Sequence, residues 1–241
     1  MRFQHNLSNR AKGIVIPRYA VKYCDSTFTP HFFTEKELTS FFNACDQLDD
    51  KKFRNKNRAL VVPVFFRLLY SSGMRTCEAR LLKRKNIDLV TGIITVLQSK
   101  GPFDHYVMLD ETMLRLMQVY DKEMNTLSPN REYFFPSRNG GHYKTSWESK
   151  TFKQLWEISG GAEKARAYDL RHHYAIENIN GWMSWNGSDF SANLKYLSKS
   201  MGHSSILATL HYYHLVPKYQ EQMVQLSGDT FSNIVKELED E

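Results

Sequence analysis

Two adjacent tyrosines stand out near the C-terminal end of the chain, in the stretch HSSILATLHYYHL over residues 203–215. A phenol is a poor nucleophile because it ionises only near pH ~10, so a reactive tyrosine needs cations close to it. On a helix, neighbouring side chains point about 100° apart, so only one of Tyr212 and Tyr213 faces a given site. The pair therefore suggests covalent catalysis by one phenol, with aromatic core packing as the alternative.

Basic residues that suit phosphoryl transfer occur earlier in the chain. Arg75 lies in SSGMRTCEAR behind a glycine, and Glu78 follows one helical turn later, where it can brace the guanidinium. Arg171 lies in YDLRHHYA, and Lys100 lies at the tip of a predicted hairpin. Arginine binds two phosphate oxygens through its planar fork, and a lysine crowded by cations donates a proton readily. Each residue alone is more often structural, so only the set predicts chemistry.

The histidines allow two further interpretations. His203 follows Met201–Gly202 at a predicted helix break, where it can act at a site, cap the helix or pack in the core. A metal site is the other interpretation, but no pair has the i, i+4 spacing with a glutamate that is typical of helical zinc sites. The sequence therefore predicts no metal or other cofactor. The histidines considered as ligands are His172, His173, His203, His211 and His214.

The charge distribution favours a polyanionic partner. The chain has 241 residues and a net charge of +6, yet residues 220–241 contain six acidic residues and one lysine. The rest of the chain is therefore strongly basic, which suits nucleic acid, although charge that only maintains solubility is the alternative. The basic residues that could contact the phosphates of such a partner are Lys51, Lys52, Arg54, Lys56, Arg58, Arg80, Lys83, Arg84 and Lys85.

Hydrophobic periodicity predicts an α+β domain that is mainly helical. Thr34 and Glu37 form a capping box that begins a helix, and residues 59–70 are apolar nearly all round, as in a buried helix. The stretches NIDLVTGIITVLQ and GPFDHYVML predict a small three-stranded antiparallel sheet with turns at Gly92 and Lys100. The stretch GMRTCEARLL predicts another short helix, and further helices are predicted at about 110–125, 146–159, 168–180, 189–200, 204–214 and 231–238.

Composition and segment boundaries add three expectations. No apolar run approaches the ~18 residues of a membrane-spanning helix, and three cysteines without metal-type spacing are typical of an intracellular protein, so we expect a cytoplasmic protein without a membrane partner. We expect an N-terminal basic arm or the remnant of a missing upstream domain, then the catalytic domain, then an acidic tail helix. Their predicted ranges are 1–30, 31–219 and 220–241.

Taken in order, these patterns resemble the tyrosine recombinase (phage integrase) family. YSSGMRTCEARLL resembles the first arginine box of that family, with Arg75 and Glu78 at the matching positions. YDLRHHYA resembles the second box, usually His-x-Leu-Arg-His, with Arg171 and His172 matching and Tyr168 in place of the first histidine. The resemblance covers residues of roughly 30 to 215, and all the boxes occur in the family's order.

The last box decides which tyrosine the resemblance selects. LSKSMGHSSILATLHYYHL resembles Leu-Gly-His-x-Ser followed by a tyrosine nine residues after the histidine and then x-His. His203 plus nine is Tyr212, and His214 completes the Tyr-x-His ending, whereas Tyr213 would pack or contact the backbone. Lys100 falls on the turn between the second and third strands, where the family keeps its lysine.

The resemblance implies a mechanism and its residues. Tyr212 would attack a DNA phosphate to form a 3′-phosphotyrosine link and release a 5′-hydroxyl, which needs neither ATP nor a metal. Arg75 and Arg171 would hold the non-bridging oxygens, His203 would donate a hydrogen bond to the phosphate, and Lys100 would protonate the leaving oxygen. Tyr168 can donate a hydrogen bond, but phenols are weak bases near neutrality, so His172 becomes a supporting candidate.

The resemblance also implies partners. Double-stranded DNA is the expected substrate, and family members assemble as tetramers through a C-terminal segment. A stripe in the tail, formed by Phe231, Ile234, Val235 and Leu238, could be that segment, or it could fold back on its own domain.

Two other functions fit the same boxes. A type IB topoisomerase shares the chemistry, but the Gly-His box and the tail favour a recombinase that integrates or excises DNA. A non-enzymatic DNA-binding remnant would explain Tyr168, although the other site residues are retained.

Overall fold

The computed structural model describes residues 30–49, 57–97, 104–161, 164–183 and 189–213. Several predicted features lie outside these residues: the N-terminal arm, the tail helix at 231–238, Lys51, Lys52, Arg54, Lys56, Lys100 and His214.

The described residues form eight α-helices, one short 3-10 helix (Arg84–Asn86) and one sheet, which confirms the mainly helical α+β expectation. The helices are α1 (Glu35–Asp46), α2 (Arg58–Ser72), α3 (Thr76–Arg80), α4 (Glu111–Leu127), α5 (Trp147–Ile158), α6 (Asp169–Met183), α7 (Phe190–Ser200) and α8 (Ile206–Tyr213). The strands are β1 (Ile87–Asp88), β2 (Ile93–Val96) and β3 (His105–Met108).

Helix α2 is the central element of the core, and α1, α4 and α6 all pack against it. Most of its apolar residues are buried, as the near-continuous apolar sequence predicts. Helix α1 begins at the predicted capping box, in which the Glu37 amide donates to the Thr34 hydroxyl and the Thr34 amide donates back to the Glu37 carboxylate. No helix within the described ranges is long and apolar enough to cross a membrane.

The sheet has the order β1-β2-β3 and is antiparallel throughout, as predicted. Val96 pairs with His105 across β2 and β3, and Ile93 pairs with Met108. Because side chains alternate between the two faces of a strand, His105 and Val107 are buried while Tyr106 and Met108 are exposed. The pleat therefore directs a histidine into the domain at the end of β3.

Two glycine turns close helices next to the region where the predicted boxes meet. Gly73 ends α2 with φ of 62°, and Gly202 follows α7 with φ of 64°, a left-handed conformation that glycine adopts without strain. A Cβ atom at Gly73 would lie 2.3 Å from the ring of Tyr174, so α6 could not approach this turn closely if another residue were present.

Candidate active site

Arg75 is held in place at the start of α3. Its backbone N–H donates to Glu78 Oε2 at 2.8 Å, and its Nη1 donates to Glu78 Oε1 at 2.6 Å, so the expected brace is present. Nη2 donates to the carbonyl oxygen of Gly202 at 2.6 Å. One arginine thereby connects the first box to the turn that carries the last box.

Arg171 lies in the first turn of α6 and is 1% exposed. Its Nη1 donates to the Gly73 carbonyl at 2.5 Å, and its Nη2 donates to the Met201 carbonyl at 2.8 Å. Nη2 also lies 2.9 Å from His203 Nε2. Burial lowers the pKa of Arg171, but a guanidinium remains charged at neutral pH, so the site contains a buried cation whose hydrogen-bond acceptors here are neutral.

His203 is neutral in this arrangement. Burial, followed by the nearby Arg171 and Arg75 charges, lowers the pKa of His203 to about 4. Since arginine can only donate, Nε2 of His203 accepts from Arg171. Nδ1 then carries the ring hydrogen toward Thr209 Oγ1, 2.7 Å away. A bound phosphate would reverse this preference, because a negative charge stabilises the protonated imidazole.

Tyr212 lies against these cations and is 4% exposed. Its ring is stacked on that of His203, with centroids 6.2 Å apart and 15° between the ring planes. Its hydroxyl oxygen lies 3.1 Å from His172 Nδ1. Burial raises the pKa of Tyr212, and the Arg171 and Arg75 charges oppose this effect only in part. The phenol is therefore protonated near neutral pH and must lose a proton to react.

Tyr168 occupies the position of the first histidine of the second box. It is 38% exposed, and its ring meets the ring of His172 edge to face, with centroids 5.1 Å apart. Tyr168, His172 and Tyr212 thus form a row of three contacting side chains at the edge of the site.

His105 is a residue that the sequence analysis missed. It is 7% exposed, its Nε2 lies 3.8 Å from Glu78 Oε2, and burial lowers its pKa. A Cβ atom at Gly202 would lie 2.6 Å from its ring, so His105 packs directly against the turn bound by both arginines. The available signal was its place on the buried face of β3, two residues before Val107.

The basic residues predicted to contact DNA separate into two groups. Arg58 and Arg80 are buried and donate inside the domain, to Gln154 at 2.7 Å and to the Tyr143 carbonyl at 2.6 Å, so we do not retain them as phosphate contacts. Lys83, Arg84 and Lys85 lie at or near the surface, where Lys83 pairs with Glu132 and Arg84 pairs with Asp121.

Of the predicted catalytic residues that are described, all lie together. Arg75, Arg171, His203 and Tyr212 come from four separate elements and form what we call the site cluster, with Tyr168 at its edge. Lys100 and His214 are outside the described residues. A cluster of this kind provides positive charge and hydrogen-bond donors beside a tyrosine, the combination that phosphoryl transfer requires.

The fold is that of tyrosine recombinase catalytic domains. The structure of the XerA recombinase aligns with a TM-score of 0.64 at 21% identity, covering 83% of this chain and 66% of that one. The catalytic domain of bacteriophage HP1 integrase aligns with a TM-score of 0.51 at 19% identity, covering 86% of this chain and 99% of that one.

The sequence comparisons establish the family. The model of the phage integrase family matches residues 31–218, so the chain belongs to the phage integrase family. Tyrosine recombinase XerC of Lactobacillus leichmannii is 28% identical over 190 residues, which are 77% of this chain and 59% of that protein. A putative integrase/recombinase, y4rE, of Sinorhizobium fredii is 27% identical over 187 residues, 76% of this chain and 59% of that protein. The chain thus spans about three fifths of the length of these relatives.

Proposed function

We propose that the protein is a site-specific DNA recombinase that cuts and rejoins strands through a 3′-phosphotyrosine intermediate. The observation that carries the proposal is the convergence of Arg75, Arg171 and His203 on the Tyr212 phenol. The proposal is supported by the similarity to proteins named as tyrosine recombinases. The XerH recombinase, which has a similar fold with a TM-score of 0.63, was crystallised on its difH substrate after cleavage.

In this mechanism a scissile phosphate binds beside the guanidinium groups. Arg75 and Arg171 hold its non-bridging oxygens and stabilise the charge that develops as phosphorus becomes pentavalent. His203 takes up a proton as the phosphate arrives and donates a hydrogen bond to it, because the anion reverses the electrostatic preference for the neutral ring. Tyr212 attacks phosphorus, and Lys100 protonates the leaving 5′-oxygen.

The reverse reaction then joins the cleaved strand to the 5′ end of a different DNA strand. A 5′-hydroxyl from a partner strand attacks the phosphotyrosine and releases Tyr212, so the energy of the phosphodiester bond is retained. Glu78 keeps Arg75 oriented through two hydrogen bonds. Tyr168, which is 38% exposed, donates a hydrogen bond to the phosphate. His214, in the Tyr-x-His ending of the last box, is a supporting residue of the site.

The partner is double-stranded DNA, bound in part by the basic residues that follow α3. Lys83, Arg84 and Lys85 supply phosphate contacts there, and Lys51, Lys52, Arg54 and Lys56 supply more. We further propose that the acidic tail, residues 220–241, docks on a neighbouring copy and holds a tetramer together on DNA, and that the protein acts in the cytoplasm. Deleting this tail should abolish assembly on DNA and spare binding to a single site.

Covalent capture tests the proposed function and reveals the target site in the same experiment. The full chain is incubated with a pool of duplexes that carry a nick in a randomised central region, since the nick lets the short cleaved strand escape. Protein-linked DNA recovered after denaturation should converge on one sequence and should disappear with Tyr212→Phe. Recovered duplexes should then recombine in pairs. Relaxation of plasmids lacking that sequence would favour a topoisomerase, and binding without covalent capture would favour a non-enzymatic remnant.

A further inference from the structure

The phenol of Tyr212 lacks a proton acceptor at the position where the family pattern has a histidine. That position, 168, is a tyrosine, and phenols accept protons poorly near neutral pH. Because burial also raises the pKa of Tyr212, the hydroxyl keeps its proton until another group takes it. The described contacts of this hydroxyl therefore decide which group can act as the base.

His203 does not fit this role. Its Nε2 accepts from Arg171 at 2.9 Å, and its Nδ1 lies 2.7 Å from Thr209 Oγ1, so both ring nitrogens are engaged. Its ring lies nearly parallel to that of Tyr212, with 15° between the planes and 6.2 Å between the centroids. His203 remains a phosphate ligand.

His172 meets the geometric requirement. Its Nδ1 lies 3.1 Å from the hydroxyl oxygen of Tyr212, within the range expected of a general base. Arg171 also forms a hydrogen bond with this phenol and can only donate, so the phenol hydrogen must point to an acceptor, and Nδ1 is within reach. Tyr168 immediately precedes α6, and its ring contacts the ring of His172 with centroids 5.1 Å apart.

We propose that His172 accepts the Tyr212 proton during DNA cleavage and returns it during rejoining, an inference that rests on the proposed function. As Oη forms its bond to phosphorus, the O–H bond breaks and the proton passes to His172 Nδ1. The P–O5′ bond breaks with its electron pair, and O5′ takes a proton from Lys100. The phosphodiester keeps one negative charge, and His172 becomes an imidazolium. Tyr168 packs edge to face against the His172 ring and holds it in this orientation.

One test of the proposal needs no DNA. Nitrogen NMR of ¹⁵N-histidine protein, assigned by comparison with His172→Gln, reports which ring nitrogen carries hydrogen. We expect Nδ1 of His172 to be an unprotonated acceptor at neutral pH and its resonance to shift in Tyr212→Phe. A hydrogen on Nδ1 would overturn the proposal and would leave the proposed function untouched.

A second test uses cleavage kinetics on a duplex recovered by covalent capture. With an ordinary phosphodiester, His172→Ala should slow single-turnover cleavage by about 10²-fold. With sulphur in place of the scissile O5′, the leaving thiolate needs no protonation. The cleavage rate of Lys100→Ala should therefore recover on this substrate, while that of His172→Ala should stay low. His173→Gln is the matched control, because this adjacent histidine stacks on Tyr70 instead.

The outcomes separate two failures. Cleavage by His172→Ala at the wild-type rate, or its recovery on the sulphur substrate, would contradict the role of His172 alone. Covalent complexes that persist in Tyr212→Phe would contradict the proposed function itself.

Discussion

Two pairs of arginines in this domain illustrate different uses of the same side chain. In the pair beside α4, Arg84 binds both oxygens of Asp121 at 2.9 and 2.8 Å, and the buried Arg131 binds the same carboxylate. In the site cluster, Arg171 donates to two backbone carbonyls and contacts a neutral imidazole. Asp121 partly neutralises Arg84 and Arg131, and Glu78 does the same for Arg75. Carbonyl acceptors instead fix Arg171 and leave its charge available for an anion.

The contrast depends on the two glycine turns. The carbonyls that hold Arg171 belong to Gly73 and Met201, and the Gly202 carbonyl holds Arg75. Left-handed residues at these helix ends point the last carbonyls toward the guanidinium groups. The α4 pair needs no such turns, because side chains supply most of its acceptors.

The largest expected effects come from replacing one arginine of each pair by lysine, which should impair cleavage at the site cluster and lower stability beside α4. Arg171→Lys keeps the charge but cannot reach three acceptors or bind two phosphate oxygens, so we expect covalent capture to fall by about 10²–10³-fold. Arg131→Lys breaks the buried contact with Asp121 and should lower the unfolding temperature while folded protein cleaves within a few-fold of wild type. Equal loss of cleavage in both folded variants would remove the distinction between the pairs.

A smaller but still large effect should come from the Gly202 turn. Gly202→Ala combines a left-handed backbone with a Cβ atom 2.6 Å from His105 and 3.0 Å from Arg75 Nη1. We expect this variant to lose stability by about 2–3 kcal/mol and to lose most of its cleavage, because Arg75 must shift.

Gly140→Ala is the control for that substitution. Gly140 has φ of 80°, but an added Cβ atom would meet nothing within 4 Å, so this variant carries the backbone strain alone. Chemical denaturation should show a loss of about 1 kcal/mol with cleavage unchanged. Comparable loss of cleavage in both variants would mean that the packing around Gly202 does not position Arg75.

His203 makes the stability of the site cluster depend on pH. Its folded pKa of about 4 is below the unfolded value near 6.5, so only the unfolded chain binds this proton between those limits. Stability is therefore unaffected by His203 above pH ~6.5 and falls as pH decreases toward ~4. Denaturation across this range should show that His203→Asn is less acid-sensitive than wild type, by roughly 1–3 kcal/mol. Identical pH profiles would contradict the neutral, buried imidazole.

The smallest effect should come from single surface charges. Lys85→Ala should weaken DNA binding and reduce the slope of log affinity against log salt by about 1. Arg115→Ala is the control, since Arg115 is exposed and already paired with Glu111 on α4. Binding titrations over a salt series measure both slopes, and equal slopes for the two variants would remove Lys85 from the DNA surface.

The sequence predicts the elements better than it predicts their contacts. Capping at Thr34, the apolar α2 and the alternating strands are local patterns, so the mainly helical α+β fold follows from them. The family boxes predict that Arg75, Arg171, His203 and Tyr212 share one site, and in the structure these four side chains lie together.

The hydrogen-bond acceptors around Arg75 and Arg171 could not be predicted from local sequence patterns. Backbone carbonyls carry no side-chain signal, and the approach of His105 to Gly202 joins residues almost a hundred positions apart. The burial of Arg58 and Arg80 was missed for a related reason, since a basic segment looks the same in sequence whether its side chains face solvent or protein. All these features depend on how the helices and strands pack against one another.

The identity of the tyrosine that becomes attached to DNA tests the central claim most directly. Covalent complexes formed by the full chain are digested with protease and nuclease, and the peptide that carries a nucleotide is fragmented by mass spectrometry. The convergence of Arg171, His203 and Arg75 on one phenol predicts a nucleotide on Tyr212, absent in Tyr212→Phe and present in Tyr213→Phe. A nucleotide on Tyr213, or on any residue outside the site cluster, would contradict the account.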